Sequence, residues 1–209
     1  MGVLERRARE KEALTEAILD AASELIAAEG LQNLSIRKLA EKIEYAPSTI
    51  YLYFEDKNAI LAGICIRFFE DLSEQLQAVV AAAPDPVEAL RTGMRCYVNY
   101  GLANRTRYQV TFMTQASPEL PPDHPICVAI REVALRALSV LGQGIEAVKA
   151  VKTLAPEETR IQAFSGWLSL HGLVSGLITS QEHQWKEWPP TEVLINQHIE
   201  HILRGLGAV

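Results

Sequence analysis

Apolar residues recur along this chain at helical spacing almost throughout, as in Leu14, Ile18, Ala21, Ala22, Leu25 and Ile26. Positions three or four apart share one side of a helix, whereas a half-buried strand alternates with a period of two, and no long segment does so. The pattern predicts an all-α fold. A first helix of about two dozen residues closes at Gly30, and short helices follow over about 35–43 and 46–54. A longer helix is expected over 57–80, ended by the Ala-Ala-Ala-Pro-Asp-Pro run at 81–86. There Asp85 can cap the next helix, Pro86 opens it where a missing N–H is harmless, and Glu88 suits the positive helix start. That helix reaches about Ala103, and another is expected over Tyr108–Gln115. Pro118, Pro121, Pro122 and Pro125 predict an extended connection over 117–125. Long helices follow over 126–152 and 157–183, then a loop over 185–190 and a last helix over 191–206.

The most informative stretch runs from Leu34 to Phe54. Ile36, Leu39, Ala40 and Ile43 mark one face of the first short helix, and Ile50 with Phe54 mark one face of the second. Two such helices joined by a turn of about three residues make a helix-turn-helix. Ala40 is small where the helices must cross closely, and Pro47 suits the first position of the second helix. Pro47, Ser48, Thr49, Tyr51, Leu52 and Tyr53 are left for its outer face. That surface is nearly uncharged, which suits a major groove: hydroxyls bond phosphates and base edges, and rings touch the thymine methyl. The alternative is that Tyr51 and Tyr53 pack on a neighbouring domain.

Three segments together, Ile18–Gly30, Ser35–Glu41 and Thr49–Lys57, resemble the N-terminal signature of the TetR/AcrR family of bacterial regulators, over roughly residues 12–65. The resemblance implies a homeodomain-like, three-helix DNA-binding domain over residues 1–56 and a helical effector-binding and dimerisation domain over 57–209. It implies that Arg37, Pro47, Ser48 and Tyr51 approach base edges, while Ser35, Thr49, Tyr53 and Lys57 hold phosphates. Arg6, Arg7 and Arg9 resemble the basic arms that some members lay along DNA. Two positions depart from the family pattern. Glu44 stands where the turn commonly has glycine, and a left-handed backbone there costs about 1 kcal/mol. Ala46 stands where a serine-like cap is usual, also at about 1 kcal/mol.

Further along, Met94, Tyr97, Val98, Phe112, Met113 and Trp167 mix rings and flexible thioethers that could line a cavity or fill a solid core. Trp167-Leu-Ser-Leu-His171-Gly172 resembles the Trp-His-Gly pattern of one group of TetR-like C-terminal domains. One helical turn separates Trp167 from His171, so both rings share a side, and His171 could bond an effector or be structural. Gly166, Gly172 and Gly176 would let a partner helix approach closely. The resemblance places a homodimer seam on the last two helices and implies a repressor that binds a palindromic double-stranded operator and is released by a small-molecule effector. The alternative is a regulator without an effector that answers to a protein partner.

Composition adds limits. The net charge of −6 argues against a protein that coats nucleic acid non-specifically, which usually needs a broad basic surface. Residues 1–57 hold eight Lys/Arg against eleven Asp/Glu, a net of −3 that opposes DNA binding. Glu16, Asp20, Glu24 and Glu29 on the first helix are expected to face away from DNA, and a dimer doubles every phosphate contact. Modest, salt-dependent affinity follows. Cys65, Cys96 and Cys127 have no metal-like spacing and are odd in number, which suits reduced thiols in the cytoplasm. No apolar run approaches the roughly 20 residues that span a bilayer, and no membrane association is expected. The five histidines form no hydrolytic motif and no Gly-rich phosphate loop is present, so neither catalysis nor a cofactor is expected.

Overall fold

The computed structural model describes residues 2–113, 120–148, 156–180 and 187–209, and every regular element among them is helical. In order they are α1 (Val3–Glu29), a 3-10 turn (Leu31–Asn33), α2 (Ile36–Lys42), α3 (Pro47–Tyr51), α4 (Lys57–Ala81), α5 (Pro86–Ala103), α6 (Arg105–Phe112), α7 (Pro125–Val148), α8 (Pro156–Thr179) and α9 (Thr191–Gly205). The stop and start signals act as their chemistry requires. Gly30 takes φ 85°, open to a residue without Cβ, and its N–H closes α1 on the Ile26 carbonyl at 2.9 Å. Asp85 caps α5 by accepting from the Glu88 N–H at 2.9 Å, with Pro86 first in the helix.

Four expectations need correction. The outer helix of the motif is shorter than 46–54: after Tyr51 the Leu52 and Tyr53 N–H groups turn back to Thr49 and Ile50, tightening the chain into a turn. The helix expected over 108–115 begins at Arg105, because Asn104 alone separates it from α5, with its N–H on the Tyr100 carbonyl at 2.9 Å. Its expected far end at Gln115, and the ends of the helices expected at 152 and 183, lie outside the described residues. Pro125 opens α7 instead of belonging to the extended connection. Finally, α8 over Glu158–Thr179 is long and apolar enough to cross a bilayer by length and composition. Its apolar positions run round the helix: Ala163, Leu170 and Val174 are buried, while Ile161, Phe164 and Leu168 are exposed.

The chain divides into two compact units. The first comprises residues 1–68 and 106–131, the second residues 69–105 and 132–209, and α4 runs continuously from one into the other. In the first unit Ile18, Ala22 and Ile26 of α1, Leu39 and Ala40 of α2, Ile50 of α3, Ile60 and Ile64 of α4 and Val110 of α6 are buried in one cluster. Each large aliphatic there contributes about 1.5–3 kcal/mol of burial. Phe68, Tyr108 and Phe112 add edge and tilted ring contacts at 4.7–5.8 Å. Cys65 is buried in this unit, and burial pushes its thiol up to about 11, so it stays a protonated core residue.

In the second unit α5, α8 and α9 pack against one another around Leu90, Met94, Leu170, Val174, Ile195 and Ile199. Arg91 of α5 reaches Glu200 of α9 at 2.8 Å, and Arg95 reaches Glu192 at 3.3 Å and the Asn196 side-chain carbonyl. The hydrogen bond from Arg91 holds the Glu200 carboxyl below the usual range.

Candidate functional site

The two short helices meet at the turn 43–46, whose geometry is a Schellman stop. The Tyr45 N–H returns to the Ala40 carbonyl at 2.9 Å and the Glu44 N–H to Glu41 at 3.3 Å. Glu44 sits between them at φ 58°, the left-handed position such a stop demands and the one positive-φ residue other than glycine among the described residues. The substitution for glycine therefore leaves the turn intact and stores its strain there, of order 1 kcal/mol. Ser35 caps α2, its Oγ accepting from the Lys38 N–H at 3.3 Å. Ala46 offers α3 no side-chain cap, and Pro47 takes the first helical position. Ile50 alone anchors α3 fully in the core.

Around that anchor the structure sorts the expected DNA-contact residues. Ser35, Arg37, Pro47, Ser48 and Tyr51 are exposed, and Thr49 is half-buried. Tyr53 is half-buried against the core cluster. Lys57 opens α4, and its ammonium donates to the Leu31 carbonyl, tying α4 to the 3-10 turn. Asp56 caps α4 by accepting from the Ala59 N–H at 2.8 Å, so an acid occupies a backbone donor at the helix start beside Lys57. Leu52, expected on the outer face with Tyr51, is exposed with it, and so is Tyr45, a residue that sequence reasoning passed over. Its signal was a large apolar side chain at a turn that needs none.

Electrostatics resolve the acidity of residues 1–57 differently from expectation. The α1 acids do not stand idle in water. Glu12 and Glu16 pair with Arg67 at 2.7 and 2.8 Å, and Glu16 and Asp20 pair with Arg107 at 3.0 and 2.6 Å. Glu24 holds Lys42 at 3.0 Å and Glu29 holds Lys38 at 2.6 Å, clipping α2 to α1. Of the three α2 cations, only Arg37 is turned wholly outward.

In the second unit α5 and α8 bring together Tyr97, Trp167 and His171. The Trp167 indole N–H donates to the Tyr97 hydroxyl at 3.2 Å, and the His171 ring stacks on Trp167 at 5.5 Å and 24°. Burial lowers the His171 pKa, keeping the imidazole neutral near pH 7, with Nε2 3.4 Å from the Ser175 hydroxyl. Met94 and Val98 are buried on the same α5. Phe112 and Met113 belong to the first unit, where Phe112 packs with Phe68 and Tyr108 and Met113 is exposed. Among the described residues no His, Cys, Asp and Glu group is arranged to hold a metal ion.

Comparison with known proteins agrees at both ends. Residues 18–64 match the family described as bacterial regulatory proteins, tetR family, and residues 90–201 match the tetracyclin repressor-like C-terminal domain. A Haemophilus influenzae HTH-type transcriptional regulator is 45% identical over 56 residues, 27% of this chain and 30% of that protein, so this match spans under a third of the relative's length. The Bacillus subtilis HTH-type transcriptional regulator YobS is 22% identical over 181 residues, 79% of this chain and 93% of its own. The fold also resembles the B. subtilis transcriptional regulator FadR, solved in complex with stearoyl-CoA, with a TM-score of 0.75, 20% identity and coverage of 91% of this chain and 98% of that one.

Proposed function

The chain belongs to the TetR family of helix-turn-helix transcriptional regulators, and from that premise we propose that it is a dimeric repressor released from a palindromic operator by a small molecule. The observation that carries the DNA-reading part is the surface of α3 and its flanks: Tyr45, Pro47, Ser48, Tyr51 and Leu52 are all exposed. A helix that met only solvent would gain nothing from such a surface, whereas base edges and thymine methyls match it. Ser35, Arg37, Pro47, Ser48, Thr49 and Tyr51 form the reading face, with Tyr53 and Lys57 at its margin. The functional boundary lies at 56/57, after the last residue of the reading turn, and the cytoplasm is where such a protein meets its operator.

The dimer is argued from α8. Ile161, Phe164 and Leu168 are exposed on one face that continues through Gly172 and Gly176, where an added Cβ would meet nothing within 4 Å. A second copy of the same face covers this stripe and lets the backbones approach. Two reading helices related by that axis address half-sites about 34 Å apart, or a related spacing. Met94, Tyr97, Val98, Trp167 and His171 are the effector residues we assign in the second unit, and Phe112 and Met113 those in the first. The stearoyl-CoA held by the FadR neighbour supports an effector with a long apolar portion. An effector releases DNA by no more than its difference in affinity for the two conformations, and α4, continuous between the units, is the lever. Selection of bound duplexes from a random pool tests the reading: a recovered palindrome is expected. Dimer without sequence preference on any duplex at low ionic strength refutes it.

A further inference from the structure

Glu41 occupies a place that helix stability does not explain. It lies in the last turn of α2, where an anion faces the negative end of the helix dipole. Its partner Arg37 precedes it by four residues, the weaker order for an i,i+4 ion pair. Both side chains are open to solvent, at 85% and 65% exposure, so the pair contributes little to folding. Its geometry is specific all the same. The Glu41 carboxylate accepts from Arg37 Nε at 3.2 Å, and among the described residues this is the one hydrogen bond of the guanidinium, so both terminal Nη groups remain open. Those two groups form the fork that bonds guanine O6 and N7 together. The other α2 cations, Lys38 and Lys42, are held by Glu29 and Glu24 of α1, leaving Arg37 as the outward one.

We propose that Glu41 is a positioning residue that holds Arg37 by Nε with its Nη fork outward, and that the operator half-site therefore contains a guanine read by Arg37. This rests on the DNA-reading function above. It differs from a purely electrostatic role, in which Glu41 would merely repel phosphates and compete for Arg37.

Full-length protein, Glu41→Ala, Glu41→Gln, Arg37→Lys and Arg37→Ala are each subjected to duplex selection from the same random pool, then to affinity measurement on the recovered duplex and its single-base variants. Gel filtration and melting confirm that each variant folds and assembles as the parent does. The parent is expected to discriminate one G·C pair by roughly tenfold or more, the order of a bidentate contact. Arg37→Ala and Arg37→Lys lose that preference, the latter although its charge is kept, because an ammonium has no fork. Glu41→Ala loses most of it at the same base pair with other positions unchanged, and Glu41→Gln, which keeps a neutral acceptor, retains part. Glu41→Ala with tighter binding and an unchanged profile means repulsion alone and overturns the proposal. An Arg37→Ala profile identical to the parent's overturns it too, while leaving the regulator standing. A parent without sequence preference removes both.

Discussion

If α8 forms the proposed seam, replacing Leu168 by Glu should dissociate the dimer without unfolding the protomer. Ile161, Phe164 and Leu168 remain 61%, 40% and 57% exposed on α8 within one chain. Full burial of such a side chain is worth about 1.5–3 kcal/mol. With roughly half of each still in water, covering the three yields about 1 kcal/mol apiece, or about 6 kcal/mol over two copies. Leu168→Glu removes about 2 kcal/mol of that sum across the dimer and places two carboxylates in the seam, each at further cost when desolvated. A net loss of about 4 kcal/mol corresponds to nearly a thousandfold weaker association. Inside the protomer the exposed Leu168 supports little packing and Glu is a good helix former, so helicity should hold. Sedimentation velocity over a concentration series reads the first effect and circular dichroism the second. A folded Leu168→Glu variant with the parent's dimer dissociation constant would show that α8 is not the seam, and the half-site geometry built on it would go with it.

Three other outcomes follow from local chemistry. Glu44→Gly relieves the left-handed strain, of order 1 kcal/mol, but loses about half of that to the freer unfolded chain, so chemical denaturation should show a gain near 0.5 kcal/mol; a loss would mean that the Glu44 side chain contributes something its backbone does not reveal. Arg107→Met keeps the aliphatic stem yet breaks the pairs to Glu16 and Asp20; because the Arg107 side chain is largely buried, the change should cost about 1–2 kcal/mol, against almost nothing for a solvated pair, and unchanged denaturation would refute this. Burial lowers the His171 pKa below that of the unfolded chain, so the neutral ring fits above the unfolded value and stability falls as pH drops through about 6.5 and below; the melting temperature of His171→Gln should decline less between pH 7.5 and 5.5 than the parent's.

Helices with strong punctuation were legible because their signals are local. Gly30 at φ 85° and the Asp85–Pro86 start act through one or two residues, and the structure uses both. Glu44 was legible as a problem, since the motif's turn demands a left-handed residue whatever side chain stands there. The start of α6 was not legible. Arg105, Thr106 and Arg107 have no apolar periodicity, and their helix is held by Tyr108 and Val110 in a core assembled from distant segments. The end of α3 was hidden for a similar reason, because Tyr53 and Phe54 pack against that core from a tightened turn, which a helical spacing of apolar residues also fits.

Charge shows the deeper limit. A sum over residues 1–57 treats each acid as a field that DNA must overcome, but a carboxylate paired at 2.6–3.0 Å presents far less of its charge to a distant phosphate. The cations that perform this neutralisation include Arg67 and Arg107, which lie outside the summed window and become neighbours of α1 only on folding. The same pairing subtracts Lys38 and Lys42 from the reading head. Residues 35–57 then hold four basic and four acidic side chains, and Arg37 alone of the basic four is extended fully into solvent. Affinity drawn from phosphate neutralisation is correspondingly small. On the proposed reading, discrimination rests on a few oriented groups, the Arg37 fork and the uncharged face of α3, whose contribution depends on geometry and is invisible to any count of charges.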